Sequence, residues 1–323
     1  MPEAVRPPAA APAAAERLLQ RLEWTVIRRL DGLLQGSSRT LLRGSGIDLA
    51  DLREYQPHDD VRHIDWNVTA RLATPHVRVF TEDRDMTAWF LLDLSPSVDF
   101  GAPGQAKRDL AEGFVGVLAR LLQRHGNRVG AVLHDGSAAM GRVLPARGGR
   151  RQVLQLLHAL ATSARPSSLT PAPGITEPQR LLGGAQGLLR RRSAVFVVSD
   201  FLSAPGWDKP LARLAQRHDV VAVRLLDPLE LELPDVGLLL LLRDPETGEQ
   251  LQVDTHERGF RHRFARLAAQ READLRASLA HAGVDTLELS TDEDLLAALL
   301  RFMQLRGHRP RVAAANPALA AHG

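Results

Sequence analysis

The sequence predicts an α/β protein in which a small N-terminal α+β module precedes a doubly wound, mostly parallel sheet. Apolar runs of strand length alternate with amphipathic stretches of helical period from Thr87 onward. Two of these runs, within 89–93 and 195–200, are almost wholly apolar, which is typical of central strands covered on both faces. Each of the two ends in an aspartate, and doubly wound sheets bind ligands at the carboxyl ends of their strands.

Composition divides the 323 residues into four segments. Residues 1–15 are rich in alanine and proline, so we expect a disordered tail rather than a signal peptide. Residues 16–86 contain a helical pattern at 16–34 and a polar, turn-rich block with strands expected at 47–53 and 76–80. Residues 87–306 form the sheet domain, and residues 307–323 are expected to be a second flexible tail.

Within the sheet domain the hydrophobic pattern predicts each element in turn. The predicted strands are Ala88–Leu92, Arg128–Leu133, Met140–Leu144, Ala194–Val198, Val220–Leu225, a hairpin of Gly237–Leu242 and Gln250–Val253, and Val284–Leu289. The predicted helices are Gln105–His125, Arg151–Ala161, Pro178–Arg191, Trp207–Arg217, Arg258–His281 and Asp292–Arg306. Ser290 and Thr291 are expected to cap the last helix.

Composition also excludes several functional classes. The chain has no cysteine, so disulfides and thiol chemistry are excluded. No apolar run approaches the roughly 18 to 20 residues that span a bilayer. The arginine groups at 147–151 and 190–192 have no interleaved aromatic residues for base stacking, so nucleic acid is not expected as a partner. These features favour a cytoplasmic protein.

Oxygen-bearing side chains follow the two buried strands. Asp93 is followed by Ser95 and Ser97, and Asp200 ends the second strand. Carboxylates and hydroxyls are the hard oxygen ligands that Mg²⁺ or Mn²⁺ prefers. An ion held by few charged ligands stays electrophilic and can accept a carboxylate from a binding partner. The sequence therefore predicts a cation site at this edge of the sheet, open to solvent.

Asp93, Ser95 and Ser97 resemble the DxSxS motif of von Willebrand factor A-type domains, which forms their metal-ion-dependent adhesion site. The resemblance implies two further ligands, a threonine from a later loop and an aspartate at the end of the fourth strand. Asp200 fits the aspartate. Thr176 in PGITEP is the preferred threonine, and Thr170 in SSLTPAP is the alternative.

The stretch GSGIDLADLREYQPHDDVRHIDWNVTAR, at Gly44–Arg71, resembles the signature of the DUF58 family. LPARGGRRQVLQLL and LPDVGLLLLLRDPETGE also look like family segments, and the likeness covers roughly residues 36–306. It implies a non-catalytic adaptor that works with a MoxR-type AAA+ ATPase in chaperone-like assembly or maturation. Other von Willebrand A-like proteins are further candidate partners. His58 stands where the family signature leads us to expect glycine.

Two alternative interpretations concern other residues. The cluster at 58–65 has two histidines and three acids, but the neighbouring arginines favour an ion-pair network over a second metal site. Tyr55 and Trp66 are expected to pack this block against the sheet.

An enzyme is the less favoured class. The sequence has no GxxxxGK[ST], GxSxG or GxGxxG motif, and neither Ser95 nor Ser97 has an evident histidine partner. A metal-dependent hydrolase acting on a phosphoester or ester is the alternative.

Overall fold

The computed structural model describes residues 51–56, 64, 66–79, 86–102, 104–136, 141–163, 178–203, 205–244 and 248–308. The expected tail at 1–15, the predicted helix at 16–34 and residues 309–323 lie outside these ranges. None of the helices in the described part of the chain is both long enough and apolar enough to cross a membrane.

The N-terminal module contains a short antiparallel pair of strands. Strands β1 (Asp51–Glu54) and β2 (His76–Val79) pair along their whole length. Helix α1 (Trp66–Leu72) lies between them in sequence and was not predicted. Both strands lie within or beside the stretches where the sequence predicted strands, whereas the helix predicted in this module, at 16–34, lies outside the described residues.

A six-stranded sheet dominates the rest of the chain, as predicted. Its strands are β3 (Thr87–Asp93), β4 (Arg128–His134), β5 (Arg142–Arg147), β6 (Ala194–Ser199), β7 (Asp219–Leu226) and β10 (Asp285–Ser290). They lie in the order β10-β7-β6-β3-β4-β5, and every neighbouring pair is parallel except β4 with β5. The mixed α/β class with a mostly parallel sheet is therefore confirmed.

Helices and a hairpin complete the described domain. The helices are α2 (Lys107–Arg124), α3 (Arg150–Thr162), α4 (Pro178–Leu188), α5 (Asp208–Arg217), α6 (Arg258–Ala282) and α7 (Leu295–His308). The predicted hairpin is formed by β8 (Leu239–Arg243) and β9 (Gln250–Asp254), which pair antiparallel. Helix α6 ends at Gly283, whose φ of 68° is a left-handed conformation that glycine adopts without steric strain.

Two hydrophobic clusters cover the two faces of the sheet. Successive side chains of a strand point to opposite faces, and β3 accordingly contributes Phe90 to one cluster and Leu91 to the other. Helices α2, α3 and α7 cover the first face, and α4, α5 and α6 cover the second. The rings of Phe90, on β3, and Phe196, on β6, stack with their centroids 5.5 Å apart. Both central strands are buried on both faces, as their apolar runs predicted.

The strand order places a switch point between β3 and β6. The chain passes from β3 to β4 and β5 on one side, then returns to build β6, β7 and β10 on the other. In sheets of this topology a crevice opens outside the carboxyl ends of the two strands where the order reverses. Asp93 is the last residue of β3, and Asp200 directly follows β6.

The last helix begins later than the sequence predicted. Ser290 still belongs to β10, and the Thr291 hydroxyl donates to Asp227 Oδ2 at 2.8 Å. Asp294 caps the helix instead, because its Oδ1 accepts the backbone N–H of Ala297 at 2.9 Å. The predicted caps are therefore wrong.

Candidate functional site

Asp93 organises the loop that follows β3. Its Oδ1 accepts the backbone N–H of Ser95 at 3.0 Å, so the carboxylate folds back over the turn. Asp93 is only 2% exposed and Ser95 is fully buried. Pro96 opens the short 3-10 helix Pro96–Asp99, since its fixed φ suits a first helical position.

The two serines of this loop lie side by side. Ser95 Oγ and Ser97 Oγ are 3.1 Å apart and share a hydrogen bond. Ser97 is half-buried, so it is the more accessible of the pair. In an octahedral magnesium site with ligand bonds of about 2.0 to 2.1 Å, two adjacent ligand oxygens stand about 3.0 Å apart. The hydroxyl pair therefore has the spacing of two neighbouring magnesium ligands.

The end of β6 is bonded directly to the end of β3. Ser199 Oγ donates to Asp93 Oδ2 at 2.8 Å and accepts the backbone N–H of Phe201 at 3.0 Å. Asp200 Oδ1 accepts the backbone N–H of Leu202 at 3.1 Å. Phe201 has a φ of 58°, a strained conformation for a bulky side chain. Such strain at a strand end is common at functional sites.

Asp93 lies in an environment that disfavours its charge. Burial is the main cause and the nearby Asp200 carboxylate is the second, and together they raise the pKa of Asp93 to about 6. The hydrogen bonds from Ser95 and Ser199 oppose this rise. Two strand-end aspartates therefore lie close enough to repel each other, which is the situation that a bound cation relieves.

Lys107 belongs to the candidate site by its contacts, although the sequence did not point to it. It is the first residue of α2, and its Nζ lies 2.8 Å from Asp200 Oδ2 and 2.6 Å from Glu230 Oε1. Burial disfavours the ammonium, but the two carboxylates outweigh this effect and raise the pKa of Lys107 above its ordinary value. One signal could have identified it: only two of the 41 basic Lys and Arg residues are lysines.

Gly101 allows the start of α2 to pack closely against the end of the loop that carries Ser95 and Ser97. Its φ is 130°, and a Cβ there would lie 2.7 Å from Ala106 Cα, which a side chain cannot tolerate. This close approach lets the Lys107 backbone N–H donate to Phe100 O at 3.0 Å. Glycine at the end of the loop therefore helps to place Lys107 beside Asp200.

Arg108 contacts both ends of the loop at 94–99, which carries Ser95 and Ser97. The side chain is 1% exposed; its Nη2 donates to Leu94 O at 3.0 Å, and its Nε lies 2.7 Å from Asp99 Oδ1. A guanidinium fixes two groups at once because its donors lie in a rigid plane. Ser95 and Ser97 are thus bracketed by contacts from one buried side chain.

Four of the five predicted ligands come together, and the fifth cannot be placed. Asp93, Ser95, Ser97 and Asp200 lie at the switch point between β3 and β6. Thr176 and the alternative Thr170 lie outside the described residues. Asp93, Ser95 and Asp200 are buried, whereas the sequence predicted an edge open to solvent.

The donor set suits a hard divalent cation. Among the described residues, no three carboxylate, imidazole or thiol side chains form a metal-binding group. A site of two aspartates and several hydroxyls is of a different kind, and hydroxyl and carboxylate oxygens are what Mg²⁺ accepts. The spacing of the serines and the mutual repulsion of the aspartates fit such an ion.

His134 lies next to this site at the end of β4. It pairs with Asp93 in the strand register, and the Leu94 N–H donates to its carbonyl at 2.7 Å. Neither ring nitrogen has a hydrogen-bond partner within the described ranges. Burial is the main cause that lowers the pKa of His134; the charge of Asp135 opposes it and that of Arg180 adds to it, so the ring is neutral near pH 7.

Two other predictions concern the N-terminal block. Of the cluster at 58–65, the structure describes only Ile64, so the choice between a metal site and an ion-pair network lies outside the described residues. Trp66 was expected to pack against the sheet, but it is 70% exposed, so this prediction is wrong. Tyr55 is half-buried.

Sequence comparison finds several mycobacterial relatives. The uncharacterized protein Rv1480 of Mycobacterium tuberculosis is 40% identical over 290 residues, covering 89% of this chain and 88% of that protein. The uncharacterized protein Mb1516 of Mycobacterium bovis shows the same identity and coverage. An uncharacterized protein of Mycobacterium avium is 35% identical over 163 residues, which cover 50% of this chain and 93% of that one.

Structural comparison finds more distant similarities. An aerotolerance-related membrane protein from Bacteroides fragilis is 14% identical, with a TM-score of 0.44 over 69% of this chain and all of the other. The conserved hypothetical protein BatB from Bacteroides thetaiotaomicron is 15% identical, with a TM-score of 0.39 over the same shares.

A family match accounts for most of the described chain. Residues 51–274 match the family described as "Protein of unknown function DUF58". This segment includes β1, the loop with Asp93, Ser95 and Ser97, and the end of β6 with Asp200. The protein is therefore a member of the DUF58 family.

Proposed function

We propose that this protein is a non-catalytic, cation-dependent protein-binding adaptor. Asp93, Ser95, Ser97 and Asp200 would hold one Mg²⁺ or Mn²⁺, directly or through water, with Thr176 as the expected additional ligand. The observation that carries the proposal is the pair of mutually repelling aspartates at the switch point, beside two hydroxyls at the spacing of magnesium ligands. When bound, the ion supplies a Lewis-acidic position for a carboxylate from the partner.

The chain's own residues prepare this position. Ser199 and the Ser95 N–H hold the two oxygens of Asp93, and Lys107 and the Leu202 N–H hold those of Asp200. The two oxygens of a carboxylate together have about four lone pairs, so these hydrogen bonds leave at least one available to a cation or to a bound water. Fixed ligands lose little conformational entropy on binding, so a few of them suffice to hold an ion.

No serine of this site pairs with a histidine within the described residues. Ser95 and Ser97 bond to each other, and Ser199 donates to Asp93. A serine nucleophile of the Ser–His type needs an imidazole within hydrogen-bonding reach. His134 is the histidine at the neighbouring strand end, and its ring makes no hydrogen bond among the described residues.

The choice of partner rests on the family resemblance. DUF58 proteins are expected to work with MoxR-type AAA+ ATPases, so an acidic side chain of such an ATPase is the leading candidate for the final ligand. Other von Willebrand A-like proteins are the next candidates. A chaperone-like role in assembly or maturation follows from the same resemblance.

Binding of a purified MoxR-type ATPase would test the proposal. The complex should form in Mg²⁺, dissociate in excess EDTA and fail to form with Asp93→Asn. Asp254→Asn is the matched control, because Asp254 also ends a strand but is exposed. If the ATPase binds equally well in EDTA and to Asp93→Asn, the result would count against the adaptor site. Mg²⁺-dependent hydrolysis of p-nitrophenyl phosphate or acetate, lost in Asp93→Asn, would favour the hydrolase.

A further inference from the structure

Lys107 places a permanent positive charge inside the candidate cation site. Its side chain is 0% exposed and contacts both Asp200 and Glu230 at hydrogen-bonding distance. Two carboxylates within hydrogen-bonding distance favour the charged ammonium over the neutral amine. One of the two aspartates that would hold the ion is therefore already shared with a cation of the protein.

Glu230 is held in place to keep this contact. It ends the short 3-10 helix Pro228–Glu230, and its Oε2 accepts the Asp227 N–H at 3.2 Å. Asp227 is fixed in turn, since its Oδ1 accepts the Leu229 N–H and its Oδ2 accepts the Thr291 hydroxyl. Residues following β7 and β10 therefore fix the far side of the Lys107 ion pair, so the ammonium has little freedom to leave Asp200.

The cluster has a charge that one divalent cation neutralises. Asp93, Asp200 and Glu230 supply three carboxylates, and Lys107 supplies one ammonium, which leaves two negative units when all are ionised. A neutral cluster does not repel an incoming carboxylate, whereas one that keeps an excess negative charge does. Low local permittivity strengthens this difference, because Asp93, Lys107 and Asp200 are buried and Glu230 is half-buried.

We propose that Lys107 is a specificity-determining residue, which weakens cation binding in order to strengthen binding of the partner's carboxylate. This inference rests on the proposed function, since it assigns the residue that makes the same site select an anionic ligand. The ammonium would repel a divalent ion bound at Asp200. It would attract the carboxylate that completes the coordination of that ion. The negative charge of Glu230 would strengthen cation binding and weaken binding of the partner's carboxylate.

Two substitutions should shift the two affinities in opposite directions. Lys107→Met removes a positive charge, so Mn²⁺ should bind about tenfold more tightly, and acetate should bind about tenfold more weakly to the Mn²⁺-loaded protein. Glu230→Gln removes a negative charge, so Mn²⁺ should bind more weakly and acetate more tightly. The double variant restores the overall charge, and both affinities should return towards the wild-type values. Calorimetry gives the Mn²⁺ affinity, and water proton relaxation of the bound Mn²⁺ gives the acetate affinity.

The chain provides its own control and its own probe. Lys209, on α5, is exposed and is the only other lysine, so Lys209→Met should leave both affinities unchanged. Protein labelled with ¹⁵N-lysine has two side-chain ammonium signals. Mg²⁺ should shift the signal of Lys107 and leave that of Lys209 in place. This measurement uses the wild-type protein, so it stands even if Lys107→Met does not fold.

The outcomes separate the inference from the proposed function. If wild-type protein binds no Mg²⁺ or Mn²⁺, both are overturned. If it binds the ion but the Lys107 signal does not shift, or Glu230→Gln binds Mn²⁺ as tightly as wild type, only the role of Lys107 is overturned. Opposite shifts in the two single variants, with the control unchanged, support it.

Discussion

The buried side chains of Arg306 and Lys107 lie at opposite ends of the parallel strands. We call these ends the amino edge and the carboxyl edge of the sheet, and the two cations differ in the carboxylates around them. At the amino edge, Arg306 bonds to Asp219 and Asp285, the first residues of β7 and β10, at 2.6 and 2.9 Å. At the carboxyl edge, Lys107 bonds to Asp200 and Glu230 in the same way, but a third carboxylate, Asp93, lies beside them.

The additional carboxylate distinguishes the candidate functional edge from the structural one. Arg306 forms ion pairs that connect α7 to the first residues of β7 and β10. A structural role therefore accounts for this cluster without a bound ligand. At the other edge Asp93 is buried beside a like charge, and its pKa rises to about 6. Buried charge that the fold does not compensate is a recognised marker of functional sites.

The largest expected effect tests the structural edge. Arg306→Met removes a buried cation from two carboxylates, so the free energy of unfolding should fall by about 3 kcal/mol. Mg²⁺ affinity should stay within about twofold of wild type, because the change lies at the opposite end of the strands. Urea unfolding and calorimetry measure the two quantities. A loss of stability below about 1 kcal/mol would mean that the amino-edge cluster is not a structural ion pair.

The next effect tests the candidate functional edge without any partner. The folded pKa of Asp93, about 6, exceeds its ordinary value of 3.8, so between these pH values the folded state binds more protons than the unfolded state. Stability therefore falls as pH rises through this window. Without cation, Asp93→Asn should be more stable than wild type at pH 8 by up to about 3 kcal/mol, and the gain should disappear near pH 4.

Urea unfolding from pH 4 to 8 in EDTA measures this difference. Asp254→Asn, at an exposed strand end, controls for the loss of one carboxylate. Curves of wild type and Asp93→Asn that run parallel across the whole range would show that Asp93 is not held in an unfavourable environment.

The smallest effect tests the link between β3 and β6. Ser199→Ala removes the hydroxyl that donates to Asp93 Oδ2, so stability should fall by about 1 kcal/mol. That bond favours the charged carboxylate, so its loss should raise the pKa of Asp93 further. Carboxyl NMR titration gives the pKa directly. A pKa that falls on substitution would contradict the assigned direction of this hydrogen bond.

Much of the fold could be predicted because its signals are local. The apolar runs that became β3 and β6 are too continuous for a half-exposed strand, and an aspartate ends β3 and directly follows β6. The same reasoning failed at α1. Trp66 is large and aromatic, so the sequence favoured burial, yet the fold leaves it 70% exposed.

The ligand loop could be predicted, but its ionic surroundings could not. Asp93, Ser95 and Ser97 are adjacent in sequence and form a recognisable motif. Lys107 and Glu230 are 123 positions apart, and only the topology of the sheet brings them together. Sequence spacing carries no information about such a pair, and neither residue belongs to a motif that we identified.

Calorimetric titration of Mg²⁺ into cation-free protein would show whether a divalent cation binds between β3 and β6. One binding site is expected in wild type at pH 7.5, and no measurable binding in Asp93→Asn under the same conditions. Arg306→Met, if folded, should bind like wild type. Absence of binding in wild type, or equal binding in Asp93→Asn, would contradict a cation site between β3 and β6.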